Sequence, residues 1–336
     1  MKPETRHLQR YLKKGQNFLG VDFPIICGAM STISERNLVS AVSNSGGFGV
    51  IAGGSLSAEE LREEIRATYC MTPNPFGVNL ILQDNTFPEQ FKVTLEEQPE
   101  IIVFAGSIPD ESIIKTAREA GKKVMCFAPS LAVANILVEQ GADALIIEGS
   151  EAGGHVGANT TLTLIQEVLL HIEEIPVFVA GGIATGEIMA MCLLLGAAGV
   201  QIGTRFAVSK ESTAHELFKK AYLKAKIHNT APFTLPLSIA PSHSIRCIKN
   251  EAFTDFSAYV ANLSQRIAQG AITIHEAESE IEGFWRGRLR DAVVNGNIKT
   301  GALMSGESVG FVKKIEQVED ILNDFIAGSD LFLSNI

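Results

Sequence analysis

The sequence predicts one large (β/α)8 barrel with a small C-terminal cap and helices that return to the barrel. From about Asp22 to Thr204, short apolar runs rich in Val, Ile and Phe alternate with longer helical stretches, the pattern of βα units around a buried parallel sheet. Eight such runs with eight crossovers favour a closed barrel. An open doubly wound sheet is the alternative, but no GxGxxG turn follows the first run, where such sheets bind nucleotides.

Each predicted strand is a short run bounded by helical segments with recognisable ends. Ser57 is a candidate N-cap for AEELREEIRATY, and Gly141 and Gly196 are placed to end helices at EQG and LLG. The predicted strands are Phe23–Cys27, Phe48–Ile51, Phe76–Leu80, Ile101–Phe104, Lys123–Phe127, Ala144–Ile147, Val177–Ala180 and Gly199–Ile202.

Three regions are expected along the chain. Residues 1–223 form the barrel, 224–283 form a cap or insertion, and 284–336 form C-terminal helices that pack back on the barrel. In the last region, WRGRLRDAVVNG and VKKIEQVEDILNDFIAG read as amphipathic helices on either side of the glycine-rich KTGALMSGESVGF. These apolar tail helices lead us to expect a homodimer. The alternation of strands and helices is interrupted in the cap region, which contains Pro232, Pro236 and Pro241.

Composition and charge favour small-molecule chemistry. The formal net charge is -10 and the basic residues are scattered, so no binding surface for nucleic acid or for an anionic membrane is expected. No apolar run approaches the roughly 20 residues of a spanning helix, and the polar N-terminus lacks a signal-peptide core, so we expect a cytoplasmic protein. The five cysteines never form a CxxC pair, so neither disulfides nor a metal site are expected.

Glycines follow the seventh and eighth predicted strands, where (β/α)8 barrels often bind phosphate. The first turn reads Gly181-Gly182-Ile183 and the second Gly203-Thr204-Arg205. Glycine lets a phosphate oxygen approach the backbone N–H groups, and the Thr204 hydroxyl can add a donor. Either turn alone could be merely tight, but their joint position predicts a phosphate site.

The turn after the sixth strand carries an imidazole among small residues. It runs from Glu148 to Gly157 and places His155 beside Gly153 and Gly154. A lone histidine is often a buried structural residue. Its position at the catalytic end of a barrel strand favours catalysis instead. Glu148 and Glu151 could be solvated loop carboxylates, yet Glu148 ends the strand and we expect it to face the site.

Other polar or soft side chains follow the remaining strands. Gly28-Ala29-Met30 could line a planar ring, although Met30 could equally belong to the core. Asn79 can present an amide to a ligand, or satisfy a local turn. His215 is interpreted as structural. Cys27 and Cys126 end strands, but no His–Asp arrangement marks either one as a nucleophile.

Several motifs resemble the flavin-dependent enoyl-acyl carrier protein reductases, a branch of the superfamily that also holds the nitronate monooxygenases (2-nitropropane dioxygenases). The resemblance covers nearly the whole chain, and its most specific part is EGSEAGGHVG at 148–157. The other matching motifs are PFGVNL at 75–80, AGGIATGE at 180–187, QIGTRFAVSKES at 201–212, RCIKN at 246–250 and MSGESVGFV at 304–312.

This resemblance implies FMN as the cofactor, NADH or NADPH as the reductant, and His155 as the catalytic histidine. In the reductases, hydride passes from the reduced flavin to the β-carbon of an enoyl thioester, carried by a small molecule or by acyl carrier protein in fatty acid synthesis. The residues implied at the FMN phosphate are Gly181, Gly182, Gly203 and Thr204. Those implied nearer the ring and ribityl chain are Met30, Asn79, Glu148 and Gly153. Further implied cofactor contacts are Gly28, Ala29, Gly154 and Gln201.

Two departures bear on the choice of branch. The first turn reads CGAMST where the reductases tend to have QGGMAW, and Phe104-Ala105-Gly106-Ser107 lacks the additional histidine of class I nitronate monooxygenases. The second departure and the tail motifs favour reduction of enoyl thioesters. Two alternatives stay open: oxidation of alkyl nitronates with dioxygen at the same site, and a non-catalytic barrel that binds flavin or phosphate as a partner module.

Overall fold

Eight parallel strands close into a barrel in the order β1-β2-β3-β4-β5-β6-β8-β9, in a computed structural model that describes residues 5–234 and 244–336. The predicted (β/α)8 barrel is therefore confirmed, and the predicted strand ends differ from the observed ones by at most two residues. The barrel strands are β1 Ile25–Cys27, β2 Phe48–Ala52, β3 Phe76–Ile81, β4 Ile101–Ala105, β5 Lys123–Phe127, β6 Ala144–Glu148, β8 Val177–Ala180 and β9 Gly199–Ile202.

Helices surround the barrel, and the three helix ends that the sequence predicts are confirmed. Ser57 and Glu60 form a capping box at the start of α3, and Gly141 and Gly196 follow α6 and α8 with left-handed φ values of 90° and 103°. These helices are α1 Gln9–Leu19, α2 Arg36–Asn44, α3 Ala58–Met71, α4 Phe87–Glu97, α5 Glu111–Glu119, α6 Leu131–Glu139, α7 Thr161–Leu164, α8 Gly186–Leu194, α9 Thr204–Ala207 and α10 Glu216–Lys224.

Alternate residues of the strands fill the barrel interior. In β2, Phe48 and Val50 point into the barrel while Ile51 packs towards the helices. Leu19 and Phe18, at the end of α1, join the interior cluster, and Phe18 contacts the ring of Phe178. Burial of these side chains closes the amino end of the barrel, so the carboxyl ends of the strands remain for a site.

A small antiparallel sheet lies outside the barrel, in the order β10-β11-β7. Its strands are β7 Gly154–Val156, β10 Thr230–Thr234 and β11 Ser244–Ile248. Pro232 lies in β10, where an edge strand tolerates the missing N–H group. Pro236 and Pro241, the other prolines predicted for the cap, lie outside the described residues.

Three long helices complete the chain: α11 Glu251–Ala268, α12 Ile274–Asn295 and α13 Val318–Ser334. The expected boundary between residues 283 and 284 lies inside α12, which is one continuous helix. Phe284 and Trp285, just after this boundary, pack against Phe256 of α11. Helix α13 begins only after VKKIEQ and packs on α8, where Ser329 Oγ donates to the Gly186 carbonyl oxygen at 2.7 Å. Within the described ranges, no helix combines the length and apolar character needed to cross a bilayer.

Candidate active site

One cavity of about 640 Å³ opens at the carboxyl ends of the barrel strands. Its volume is in the range of sites that bind small ligands and cofactors. The residues predicted for catalysis and cofactor binding all line it. They are Gly28, Ala29, Met30, Asn79, Glu148, Gly153, Gly154, His155, Gly181, Gly182, Gln201, Gly203 and Thr204.

The glycine turns after β8 and β9 lie side by side, because the two strands pair in parallel. Gly181 and Gly182 have φ values of 92° and 72°, a conformation that favours glycine. Gly203 immediately precedes α9, whose first N–H groups have neither intrahelical acceptors nor a side-chain cap. A Cβ on Gly203 would lie 3.5 Å from Sδ of Met30 and would narrow the cavity. These turns fit an anionic group such as phosphate.

The turn after β6 is fixed to the turn after β8 through Thr161. The Thr161 N–H group donates to the Glu151 carboxylate at 2.9 Å, and its hydroxyl donates to the Gly181 carbonyl oxygen at 2.8 Å. A Cβ on Gly149 would lie 2.0 Å from Oγ1 of Thr161, so only glycine fits there. Glu151 is thus a structural carboxylate of this turn, and the loop before His155 is held in place.

Part of the loop that the sequence predicts as glycine-rich is in fact a strand, β7, which pairs with β11. His155 pairs with Ile245, and Gly154 pairs with Arg246. The buried guanidinium of Arg246 donates from Nε to the Ser150 carbonyl oxygen at 2.8 Å and lies 3.0 Å from the Glu307 carboxylate. The backbone of His155 is therefore fixed from both sides of its loop.

His155 contacts a carboxylate on helix α12. Its Nε2 lies 2.8 Å from Oε1 of Glu282 on α12, and the two side chains are 44% and 50% exposed. Burial lowers the pKa of His155, but the hydrogen bond and the charge of Glu282, aided by Glu148, outweigh it and raise that pKa overall. Because both side chains are partly exposed, water weakens the effects of burial and of the carboxylates on this pKa. The arrangement favours the imidazolium, which can donate a proton.

Glu148 ends β6 and faces the cavity, as the sequence predicts. Burial raises its pKa to about 7, against smaller opposing effects of His155 and of a hydrogen bond from Gln201. Nε2 of Gln201 lies 3.5 Å from Oε2 of Glu148, so this hydrogen bond is long. Near pH 7 this carboxyl group is present in both protonation states and can donate or accept a hydrogen bond.

Asn79 and Met30 complete the floor of the cavity. Asn79 is buried, and its Nδ2 donates to the Val103 carbonyl oxygen at 3.2 Å, which orients the amide. The Met30 N–H group donates to Oγ of Ser34 at 3.0 Å, which fixes the turn after β1. Both side chains border the cavity and are available to a flat ligand.

His215, Cys27 and Cys126 lie outside the cavity and have structural roles. His215 caps α10, where its Nδ1 accepts from the Leu217 N–H group at 3.1 Å. Cys27 and Cys126 are buried, and burial raises the pKa of each thiol to about 12, so neither is a thiolate nucleophile. Among the described residues, no group of His, Cys, Asp and Glu side chains could hold a metal ion.

Helix α12 contributes residues to the cavity that the sequence did not predict. Glu282 and Arg286 of this helix line the cavity, and Nη2 of Arg286 lies 2.8 Å from Oδ2 of Asp84, in the turn after β3. Charged residues on a polar helix are usually solvated, so the sequence alone does not indicate that Glu282 and Arg286 face a cavity. Arg246 and Glu307 lie within the RCIKN and MSGESVGFV motifs, but their pairing depends on the tertiary fold.

The fold and the cavity together define a (β/α)8-barrel protein with a ligand site at the catalytic end of its strands. Comparison with known proteins gives the family. The family model for nitronate monooxygenase matches residues 13–94 and 83–328. The chain therefore belongs to the nitronate monooxygenase family.

Individual relatives agree with this assignment. FabK from Thermotoga maritima, an enoyl-acyl carrier protein reductase II, is 32% identical, with a TM-score of 0.84 over 95% of this chain and 96% of that one. A probable nitronate monooxygenase of Staphylococcus aureus is 30% identical over 323 residues, covering 80% of this chain and 89% of the relative. The (3aS,4S,5R,7aS)-5-hydroxy-7a-methyl-1-oxo-octahydro-1H-indene-4-carboxyl-CoA dehydrogenase of Mycobacterium tuberculosis is 26% identical over 342 residues, covering 92% and 93%.

These similarities confirm the family resemblance found in the sequence. They support an oxidoreductase of the superfamily that contains both nitronate monooxygenases and FabK, whose members are generally FMN enzymes.

Proposed function

We propose that this protein is an FMN- and NAD(P)H-dependent reductase of trans-2-enoyl thioesters. The observation that carries the proposal is the placement of His155 and both glycine turns on one cavity, in a chain similar to FabK over nearly its whole length. The expected substrate is an enoyl group on acyl carrier protein or on a small thioester, and the product is the saturated acyl thioester.

Two further observations favour a thioester over a nitronate. The end of β4 borders the cavity with Ala105 and Gly106, where resemblance to class I nitronate monooxygenases would require a histidine. In addition, the Mycobacterium tuberculosis relative is named for a carboxyl-CoA substrate, which is itself a thioester. Both observations support a site that accepts an activated acyl group.

The residues of the cavity fit FMN. Gly181, Gly182, Gly203 and Thr204 would hold its phosphate through backbone N–H groups and one hydroxyl. Met30, Asn79, Glu148 and Gly153 would border the ring and ribityl chain, together with Gly28, Ala29, Gly154 and Gln201. When bound, FMN supplies the two-electron chemistry that links oxidation of the nicotinamide to reduction of the enoyl double bond.

The protein's own groups manage protons in this reaction. Reduction at the β-carbon leaves negative charge on the α-carbon and the thioester oxygen. The imidazolium of His155 can stabilise this charge and donate a proton to the α-carbon. Glu282 and Arg286 of helix α12 line the same cavity, and Glu282 contacts the imidazole of His155.

A second candidate function is oxidation of alkyl nitronates with dioxygen. The observation in its favour is the Staphylococcus aureus relative, which is described as a probable nitronate monooxygenase. In this reaction the same flavin site would act on the nitronate carbon, and His155 would lie near the nitro group. Nicotinamide would then have no role as reductant.

Steady-state turnover distinguishes the two functions. The absorbance spectrum of the purified protein is recorded first, to establish whether flavin is bound. We then expect NADH or NADPH oxidation to accelerate when crotonyl thioester is added, and little oxygen uptake with propyl nitronate. Rapid oxygen uptake with the nitronate, without thioester-dependent oxidation of nicotinamide, would establish the second function instead.

Histidine variants test the role of the imidazole. We expect His155→Asn to lower kcat for the thioester by about 100-fold, the typical size of a lost proton donor, while the flavin spectrum persists. His171→Asn is the matched control, because His171 is exposed and is not among the residues that line the cavity. Equal activity of the His155 variant and the control would exclude the proposed role.

A further inference from the structure

Helix α12 carries two charged residues that meet the barrel at separate points. Glu282 and Arg286 are four residues apart and therefore lie on the same face of the helix. Arg286 contacts Asp84, whose side chain is only 8% exposed, and Asp84 also accepts hydrogen bonds from the Thr86 N–H group at 3.0 Å and hydroxyl at 2.8 Å. The helix is thus anchored to the rim of the barrel independently of Glu282.

Glu282 makes its contact with His155 one helical turn earlier than this anchor. Its Oε1 lies 2.8 Å from Nε2 of the imidazole. The backbone of His155 is fixed by β-pairing with Ile245, so contact with Glu282 also sets the orientation of the ring. With Nε2 engaged by a carboxylate, Nδ1 is the ring nitrogen that remains for a ligand in the cavity.

We propose that Glu282 is a positioning residue for His155, holding Nε2–H so that Nδ1–H serves as the proton donor to the substrate. This proposal rests on the proposed reduction of enoyl thioesters. Bound FMN would supply the hydride for the new C–H bond at the β-carbon, and the electron pair of the double bond would move to the α-carbon. That carbon takes the proton from Nδ1, and the neutral imidazole regains a proton from water. The nicotinamide is oxidised and the double bond is reduced.

The charges around His155 support this role. Two carboxyl groups face the ring, Glu282 from α12 and Glu148 from the end of β6. Since burial raises the pKa of Glu148 to about 7, Glu148 is partly neutral there and offers a weaker partner to the cation. Other charged groups near the ring, among the described residues, form ion pairs: Asp84 with Arg286, and Arg246 with Glu307. His275 of α12 lies 3.9 Å from the Glu278 carboxylate.

The test is a pH titration of the His155 imidazole by NMR in the flavin-bound protein, with His155→Asn used to assign its resonance. We expect Glu282→Gln to lower the pKa of His155, because the amide keeps the size of the side chain but removes its charge. Glu282→Asp keeps the charge and should restore part of the loss. Glu278→Gln removes a carboxylate from the same helix one turn away and should change the titration less than Glu282→Gln.

The pH profile of kcat with crotonyl thioester supplies the catalytic readout. Proton donation requires the imidazolium, so kcat falls as pH rises above the pKa of His155, and in Glu282→Gln this fall should begin at lower pH. An unchanged His155 pKa in Glu282→Gln would overturn the pairing. A lowered pKa with an unchanged kcat profile would overturn the donor role.

The two parts of the test separate this proposal from the proposed function. If the wild-type protein fails to reduce any enoyl thioester, the proposed function and the donor step both fail. The titration still decides whether Glu282 positions His155, because it requires no turnover.

Discussion

The guanidinium of Arg246 lies 3.0 Å from the carboxylate of Glu307, and this pair joins β11 to the segment that follows α12. The same guanidinium donates to the Ser150 carbonyl oxygen at 2.8 Å, at the start of the histidine turn. The Glu307 N–H group in turn donates to the Glu151 carbonyl oxygen at 2.9 Å. A residue outside the cavity therefore fixes the loop that carries His155.

Arg246→Met is expected to reduce the free energy of unfolding by about 2–4 kcal/mol, because Ser150 loses its donor and Glu307 its counterion. Glu307 is partly exposed, so Glu307→Gln should cost only about 1–2 kcal/mol. Urea denaturation followed by circular dichroism measures both, and the double variant measures their coupling. Additive effects of the two substitutions would show that the pair does not act as a unit.

Gly203→Ala and Gly182→Ala should separate ligand binding from backbone strain. The methyl group added in Gly203→Ala would lie 3.5 Å from Met30 Sδ, an ordinary van der Waals contact, and would border the cavity. We therefore expect this variant to bind FMN more weakly with little loss of stability. Gly182 has a φ of 72°, so its substitution should cost about 1–2 kcal/mol of stability as well. Flavin fluorescence titration and thermal unfolding measure the two effects.

Gly287→Ala is the control for these glycine variants. A Cβ at this position of α12 meets no atom within 4 Å. The substitution should stabilise the helix by about 0.5–1 kcal/mol and leave FMN affinity unchanged. Equal FMN affinity in Gly203→Ala and Gly287→Ala would contradict a phosphate site at the turn after β9.

One cysteine of the native protein should react with a thiol reagent at pH 8, and all five after denaturation. Cys70 is exposed, whereas the other four are buried. Burial raises the pKa of each buried thiol to about 12, so almost none is the reactive thiolate at pH 8. Cys70→Ser should therefore abolish the rapid reaction, and a second fast thiol in that variant would disprove the assignment.

The features that were predictable from the sequence are those with a local cause. Strands such as Phe48–Ala52 are continuous apolar runs because both faces of a parallel barrel strand are buried. The glycines at 181, 182 and 203 could be assigned to one cavity because parallel strands end at the same side of the barrel.

Features that depend on distant pairing were not predictable. The strand Gly154–Val156 has glycine at its first position and forms because β11 pairs with it. The contact between His155 and Glu282 joins residues 127 positions apart, and a carboxylate on a polar helix has no preferred partner in the sequence. The continuity of α12 across residues 283 and 284 was not predictable for a related reason, since its mostly polar sequence gives no clear apolar periodicity.

Because the pKa of Glu148 is raised, we expect the neutral variant Glu148→Gln to be more stable than wild type mainly at pH 7 and above. In the folded chain this pKa is about 7, above the ordinary value of 4.5, so the folded state binds more protons between these values. Its unfolding free energy should therefore fall as pH rises from about 4.5 to 7 and then level off. Glu148→Gln removes this pH-dependent loss of stability. In flavin-free protein, the unfolding free energy of Glu148→Gln relative to wild type should therefore rise by about 1–2 kcal/mol between pH 5 and pH 8. This is less than the pKa shift alone would give, because water in the cavity weakens the effect of burial.

Thermal unfolding at pH 5 and pH 8 measures this difference. Glu139→Gln, at an exposed end of α6, is the control and reports the effect of net charge alone. An advantage of the Glu148 variant that is larger at pH 5 than at pH 8 would rule out a buried, proton-binding carboxyl group at this position.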